Sequence, residues 1–205
     1  MDSPWTTSCR AFGDAAEWFV ATAALVDGRR WTEPGLGEWD VRSLVGHTSR
    51  ALLTVETYVS RPAEVVEVES TSEYYRATRA VAASPDVAAR GRAAGEALGP
   101  DPAAAVAEIA ARVVPLVAAH EGTEVVTTIA GGMRLADYLP TRTFELVVHT
   151  ADLAVALGLA SEPPPVPAEQ AFDLVAQLAV SDGRATALLR AATGREGLPP
   201  GFSVL

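Results

Sequence analysis

The chain contains no lysine and no asparagine, so all 16 of its basic side chains are arginines. This usage is typical of a high-GC genome, with an actinobacterium as the leading candidate source. Cys9 is the sole cysteine, which excludes a scaffold held by internal disulfides. The sequence also lacks a run of about 18 uncharged apolar residues and the basic start and apolar core of a signal peptide. We therefore expect a soluble, cytoplasmic protein.

Positive charge is scarce as well. The chain has 26 acidic and 16 basic residues, and its formal net charge is −10. Such a chain repels nucleic-acid phosphates and anionic lipid headgroups, so we expect neither nucleic acid nor a membrane as a partner. Hydrophobic residues make up 49% of the 205 residues, which favours a folded chain over a disordered one. This length suits a single domain over residues 1–205.

Four long segments carry apolar residues at three- and four-residue steps, the pattern of helices with one buried face. We predict these helices over residues 7–27, 41–60, 102–120 and 136–158. Asp40 is placed to cap the second of them. Shorter helices are predicted over residues 72–83, 85–98, 168–181 and 185–192. The fold class expected from these segments is mainly all-α, a four-helix bundle with extra short helices.

The stretches between the helices carry different signals. Residues 123–135 combine β-forming side chains with Gly131 and Gly132, which predicts a small β-hairpin turning at those glycines. Residues 29–38 are predicted to form a loop. We expect at least one of its bordering tryptophans, Trp31 and Trp39, to pack on the bundle or line a pocket. Residues 162–167 are proline-rich and are interpreted as a rigid connector.

Two of the three histidines lie on otherwise apolar predicted helices. Glu145 precedes His149 by four residues, so both side chains share one helix face. His47 has a similar setting beside Gly46, a residue that lets a backbone or ligand approach closely. Buried polar side chains either find partners or cost desolvation energy. The residues leave two interpretations open, a metal cradle between two helices and histidines that are separately satisfied in the core.

If the three side chains bind an ion, its chemistry is constrained. Two imidazoles and one carboxylate leave a coordination position open, which is typical of catalytic zinc. The same donors also suit Fe(II), Ni(II) and Mn(II). Cys9 is interpreted as inert, so a thiol nucleophile would come from outside the chain. His120 falls at a predicted helix end, where we assign it a capping role and no ligand role.

Further charged and aromatic residues are candidates for the same site. Asp152 follows His149 by three residues and is placed to orient its ring. Arg142 is placed to hold a carboxylate of the substrate or thiol. The alternative for both residues is a solvated helix charge. A further set of residues on the predicted helix 72–83 is placed to line the mouth of this site: Tyr74, Tyr75, Arg76 and Arg79. The alternative is an exposed helix whose arginine side chains lie along its surface.

Two segments resemble a known family. Residues 34–48, PGLGEWDVRSLVGHT, are similar to the second-helix motif of the DinB-like superfamily, and more narrowly to the N-terminal domain of mycothiol-dependent maleylpyruvate isomerases. Residues 142–154, RTFELVVHTADLA, resemble the second metal motif of that family. The resemblance spans residues 7–195 in order and spacing. It implies a DinB-like four-helix bundle that binds a divalent metal, usually zinc, with His47, Glu145 and His149 at the ligand positions.

The resemblance also implies a chemistry. Characterised members use mycothiol, a thiol made by actinobacteria, for isomerisation or S-transfer. The chain is therefore predicted to be a metal-dependent transferase or isomerase that uses mycothiol on a small electrophilic substrate. The alternatives are a non-catalytic module that binds metal or a small ligand, and a purely structural bundle. A homodimer is a further expectation, because several helices are apolar on more than one side.

Overall fold

The computed structural model describes residues 3–82 and 86–205, and most of these residues are helical. The helices are α1 Pro4–Ala23, α2 Val41–Val59, α3 Thr71–Ala82, α4 Asp86–Ala97, α5 Pro102–Ala118, α6 Leu135–Ala156, α7 Pro165–Ser181 and α8 Ala185–Ala192. Two antiparallel pairs of strands accompany them, β1 Pro34–Leu36 with β2 Trp39–Asp40, and β3 Val125–Thr128 with β4 Gly131–Arg134. The predicted class, mainly all-α with a small hairpin, is confirmed.

The four long helices form the bundle. Helices α1 and α2 each pack against both α5 and α6, so the four enclose one core. This core is filled by large apolar side chains that the helical periodicity placed inward, among them Phe12, Phe19, Leu44, Leu52, Val113, Leu146 and Leu153. Helix α4 packs on α2, helix α7 packs on α6 and α1, and α3 lies against α6 and α7. No helix in the described residues is long and apolar enough to span a bilayer.

Helix ends follow the capping chemistry. The side chain of Asp40 accepts a hydrogen bond from the Ser43 amide, so α2 begins where predicted. Helix α1 begins earlier than predicted, because Ser3 caps it and Pro4 occupies its first position. It also ends at Ala23, before the predicted end at residue 27. The predicted boundaries at Ala83 and Pro85 lie outside the described residues.

Other helix boundaries differ more. Helix α7 begins at Pro165, so the second half of the predicted connector is its first turn. Proline has no amide hydrogen to lose there, and its fixed φ suits a helix start. Helix α5 contains Pro115 but continues to Ala118. Pro115 has no amide hydrogen to donate, and only the last turn of the helix follows it. The predicted loop at 29–38 contains a short 3₁₀ turn over Arg30–Thr32 and the strand β1.

The predicted hairpin is present, but its turn is not at the two glycines. Thr128 pairs with Gly131 and Thr127 with Gly132, which places Ile129 and Ala130 at the tip. Gly131 adopts a φ of +117°, a conformation that favours glycine. A Cβ on Gly132 would lie 2.0 Å from the Val65 carbonyl oxygen. Both glycines therefore belong to strand β4. Gly131 is needed for its backbone conformation, and Gly132 for the close contact with Val65.

Helices α2 and α4 cross at two glycines. A Cβ on Gly46 would lie 2.1 Å from the Gly95 nitrogen, so the two backbones are in direct contact. A Cβ on Gly91 would lie 2.4 Å from the indole of Trp39. The indole nitrogen of Trp39 donates to the Ala88 carbonyl at 3.0 Å. This crossing fixes the height and rotation of α2 at the residue that follows Gly46, which is His47.

Candidate metal centre

Packing of α2 against α6 brings His47, Glu145 and His149 together. Each residue offers one ligand atom, and these three atoms all lie within 4.8 Å of one another. The Nε2 atom of His149 lies 3.3 Å from Oε2 of Glu145. A tetrahedral zinc site with bonds of about 2.1 Å keeps its ligand atoms ~3.4 Å apart. The His149–Glu145 separation already matches that value, and the His47 ligand atom lies within 4.8 Å of both.

His149 is held from both sides. Its Nδ1 atom lies 3.1 Å from Oδ2 of Asp152, and its Nε2 atom faces Glu145. Burial alone would lower the pKa of His149, but the hydrogen bonds to Asp152 and Glu145 outweigh burial and raise this pKa to about 9. Two carboxylates therefore stabilise a positive charge at the ring, which is the environment that a bound cation needs.

His47 has the opposite environment. Its ring lies against the indole of Trp39, with 4.4 Å between the ring centroids. Its Nδ1 atom is buried without a hydrogen-bond partner among the described residues. Burial, and secondarily the positive charge of His149, lower the pKa of His47 to about 4. A neutral imidazole is the form that binds metals, so His47 needs no deprotonation at neutral pH.

Glu145 is held by two hydrogen-bonding neighbours and by the charge of a third. Besides His149, it accepts a hydrogen bond at Oε1 from the Tyr75 hydroxyl, at 2.7 Å. Burial alone would raise the pKa of Glu145, but the hydrogen bond to His149 and the charges of Arg142 and His149 outweigh burial and lower this pKa to about 2. Glu145 is therefore an anion throughout the physiological pH range.

The three side chains lie in the wall of a cavity of about 720 Å³. A volume of ~300–1,000 Å³ is typical of sites for small organic ligands. Several aromatic and cationic groups line it, among them Tyr58, Tyr74, Tyr75, Arg50, Arg79 and Arg142. Leu205 also lines the cavity. The adjacent Val204 is buried, and its carbonyl oxygen accepts a hydrogen bond from Nη2 of Arg79 at 3.2 Å.

Arg142 lies inside this cavity rather than on a solvated face. Its guanidinium carbon is 5.5 Å from the ring centroid of Tyr74 and 5.2 Å from that of Tyr138. Its Nε atom donates to the Thr141 hydroxyl at 2.8 Å. The structure therefore places Arg142 in the cavity wall, with its guanidinium packed on two tyrosine rings. Asp152 is in contact with His149 and also keeps 31% of its side chain exposed.

The other candidate residues fall into those that line the cavity and those that lie outside it. Tyr74, Tyr75 and Arg79 line the cavity, whereas Arg76 is exposed and does not. The ring of His120 lies outside the cluster, where its Nδ1 atom is 3.1 Å from Oε1 of Glu124. This ring contact differs from the helix capping expected of His120. Since α5 ends at Ala118, the ring lies beyond the last turn.

Cys9 lies in a different groove, between α1 and α5. Burial raises the pKa of its thiol, which disfavours the reactive thiolate. The contact between Tyr75 and Glu145 was not predicted from the sequence. The residues are 70 positions apart, and no local pattern signals such a pair.

The donor set fits a divalent metal. An anionic carboxylate, a neutral imidazole and a second imidazole already hydrogen-bonded to a carboxylate are the groups that zinc sites commonly use. The buried Nδ1 of His47 has no competing partner among the described residues. A helical bundle with this cluster on two packed helices is the arrangement that the resemblance to DinB-like domains implies.

Comparison with known proteins gives the family. A family model described as the mycothiol maleylpyruvate isomerase N-terminal domain matches residues 12–154, more than two thirds of the chain. The chain belongs to this family. The match includes α2 and all of α6 except its last two residues, and therefore all three clustered residues. Searches of curated proteins and of solved structures gave no match.

Proposed function

We propose that the protein is a divalent-metal-dependent enzyme that uses a low-molecular-weight thiol, mycothiol, for S-transfer to, or isomerisation of, a small electrophilic substrate. His47, Glu145 and His149 would hold the ion, with zinc favoured over Ni, Fe or Mn. The observation that carries the proposal is the cluster of these three ligand atoms within 4.8 Å of one another, in the wall of a cavity large enough for thiol and substrate.

The open face of the cluster supports catalysis over a structural role. Three protein ligands leave at least one coordination position for an exchangeable group. A divalent ion bound there would lower the pKa of a coordinating thiol and supply its nucleophilic thiolate form. The chain offers no thiol of its own at the cavity, because Cys9 lies between α1 and α5. The thiol would therefore be a cosubstrate.

Each neighbouring residue has a defined task in this proposal. Asp152 would hold the ring of His149 so that Nε2 faces the cluster. Arg142 would orient a carboxylate of the substrate or thiol, since its Nε atom donates to Thr141 and its Nη groups make no hydrogen bond to the described residues. Tyr58 and Tyr138 would exclude water from the site through their packed rings.

Elemental analysis tests the metal role first. Purified protein should carry about one ion per chain, and His47→Ala and Glu145→Ala should each lose it. His120→Ala is the matched control, because this third histidine pairs with Glu124 away from the cluster and should leave the metal content unchanged. Absence of an ion in the parent protein, even after reconstitution with zinc, nickel, iron(II) and manganese, would reject the proposed metal role.

Turnover tests the enzymatic role. Reconstituted protein should conjugate or isomerise members of a panel of small electrophiles when mycothiol is supplied, and metal-free protein should not. Full activity in verified metal-free protein would contradict the proposal. Tight binding of thiol or electrophile without turnover would instead favour a non-catalytic binding module.

A further inference from the structure

The two oxygens of Glu145 are in different environments. Oε1 accepts the hydrogen bond of the Tyr75 hydroxyl at 2.7 Å, while Oε2 faces Nε2 of His149 at 3.3 Å. A phenol has one proton to donate, and a charged carboxylate is a stronger acceptor than a neutral carbonyl. The second contact of the hydroxyl, to the Thr141 carbonyl at 3.0 Å, is longer. The proton therefore lies toward Oε1.

The tyrosine is itself rigidly placed. Its side chain is buried, and its ring packs edge to face on Phe144 at a centroid distance of 5.4 Å. A second edge contact, to Tyr74, has a centroid distance of 5.9 Å. Helix α3 packs against α6 at this point, so two elements hold the hydroxyl at a fixed position relative to Glu145. The carboxylate consequently cannot rotate without losing a charge-assisted hydrogen bond.

We propose that Tyr75 is a positioning residue for the metal centre: its hydroxyl occupies Oε1 of Glu145 and leaves Oε2 as the single oxygen that coordinates the ion. This inference rests on the proposed function, since it presupposes that the cluster binds a metal. A one-oxygen ligand keeps the coordination number low and an exchangeable position open. Without the phenol, Glu145 could turn and coordinate through both oxygens.

Tyr75→Phe is the direct test, because it removes the hydroxyl and keeps the ring packed on Phe144. Zn²⁺ affinity measured by competition with a chelator should fall about 10- to 100-fold, the range found when an outer hydrogen-bond partner of a metal ligand is removed. Cobalt(II) provides a second readout. The variant's visible absorption should weaken relative to the parent protein, because higher coordination numbers absorb less strongly than tetrahedral sites.

Tyr74→Phe is the matched control. Tyr74 is the preceding residue on α3, is also buried and lines the same cavity, but among the described residues its hydroxyl makes no hydrogen bond to the Glu145 oxygens. Its substitution should leave Zn²⁺ affinity within about twofold and the cobalt spectrum unchanged. Far-UV circular dichroism of both variants verifies folding before titration.

The outcomes are separable. Loss of affinity and of cobalt absorption in Tyr75→Phe alone supports the positioning role. Equal affinity and identical spectra in the parent and Tyr75→Phe overturn it while leaving the metal proposal intact. Equal losses in Tyr75→Phe and Tyr74→Phe also overturn it, because they indicate general packing of α3. A parent protein that binds neither Zn²⁺ nor Co²⁺ overturns the proposed function itself, and this inference with it.

Discussion

The imidazole of His149 meets that of His47 edge to face, with 4.8 Å between their centroids, and only one of the two rings is charged at neutral pH. Hydrogen bonds to two carboxylates raise the pKa of His149 to about 9, whereas burial lowers that of His47 to about 4. In the metal-free protein a single proton on His149 thus balances part of the negative charge of Glu145 and Asp152.

This arrangement predicts that zinc binding releases about one proton per chain at pH 7. A metal must displace the proton on His149 below the pKa of about 9, whereas His47 is already neutral above a pKa of about 4. Affinity should therefore rise about tenfold per pH unit from pH ~5 to ~8 and level off above ~9. Calorimetry in buffers of different ionisation enthalpy measures the proton count. An affinity independent of pH over this range would contradict the assigned protonation states.

Asp152→Ala should weaken zinc binding about 10-fold or more, because the ring of His149 loses the acceptor that orients it. Competition with a chelator measures the change. Asp173→Ala is the control, since Asp173 is an exposed carboxylate on α7 with the same formal charge. If both variants lost affinity equally, the effect would arise from net charge and the orienting role of Asp152 would fail.

Arg142→Met should lower kcat/KM for electrophiles that carry a carboxylate and leave that for neutral electrophiles nearly unchanged. A charge-assisted, bidentate contact contributes about 1.5–3 kcal/mol, equivalent to roughly 10- to 100-fold. Steady-state kinetics with paired substrates, one acid and one ester or amide, test this difference. Arg76→Met provides the comparison, because Arg76 is exposed and lies outside the cavity. Equal loss on both substrates would show that Arg142 does not select for charge.

Gly46→Ala should destabilise the protein by about 3 kcal/mol or more, because the added methyl group meets the backbone of Gly95 and neither helix can yield cheaply. Urea unfolding with a chelator present measures the free energy without a metal contribution. Gly28→Ala is the control, since a Cβ there meets nothing within 4 Å. Near-wild-type stability of Gly46→Ala would show that the α2–α4 crossing is adaptable.

Much of this fold follows from local sequence. The apolar stripes on α1, α2, α5 and α6 predicted the bundle, and Asp40 marked the start of α2 because a carboxylate satisfies the free amides of the first turn. The four-residue spacing of Glu145 and His149 also guaranteed that this pair shares a face. These features depend on one element at a time, which is why periodicity and capping predicted them.

The rest depends on how elements meet. Sequence spacing did not decide whether His47 is a core residue or a metal ligand. Only the packing of α2 on α6 places it beside His149. The turn assigned to Gly131 and Gly132 was wrong because Gly132 is required by a contact with Val65, 67 residues earlier. The contact of Arg142 with Tyr74 and that of Tyr75 with Glu145 both depend on the packing of α3 on α6, which no motif signalled.

The position of Leu205 at the cavity wall affects how metal binding must be measured. A peptide attached after this residue begins at the wall of the cavity that the cluster also lines, and a short flexible tether keeps its free end at an effective concentration on the order of millimolar. A polyhistidine tag placed there would deliver imidazoles to the open coordination position and imitate a fourth ligand. Titrations with such a tag would report the tag's chelation together with that of His47, Glu145 and His149.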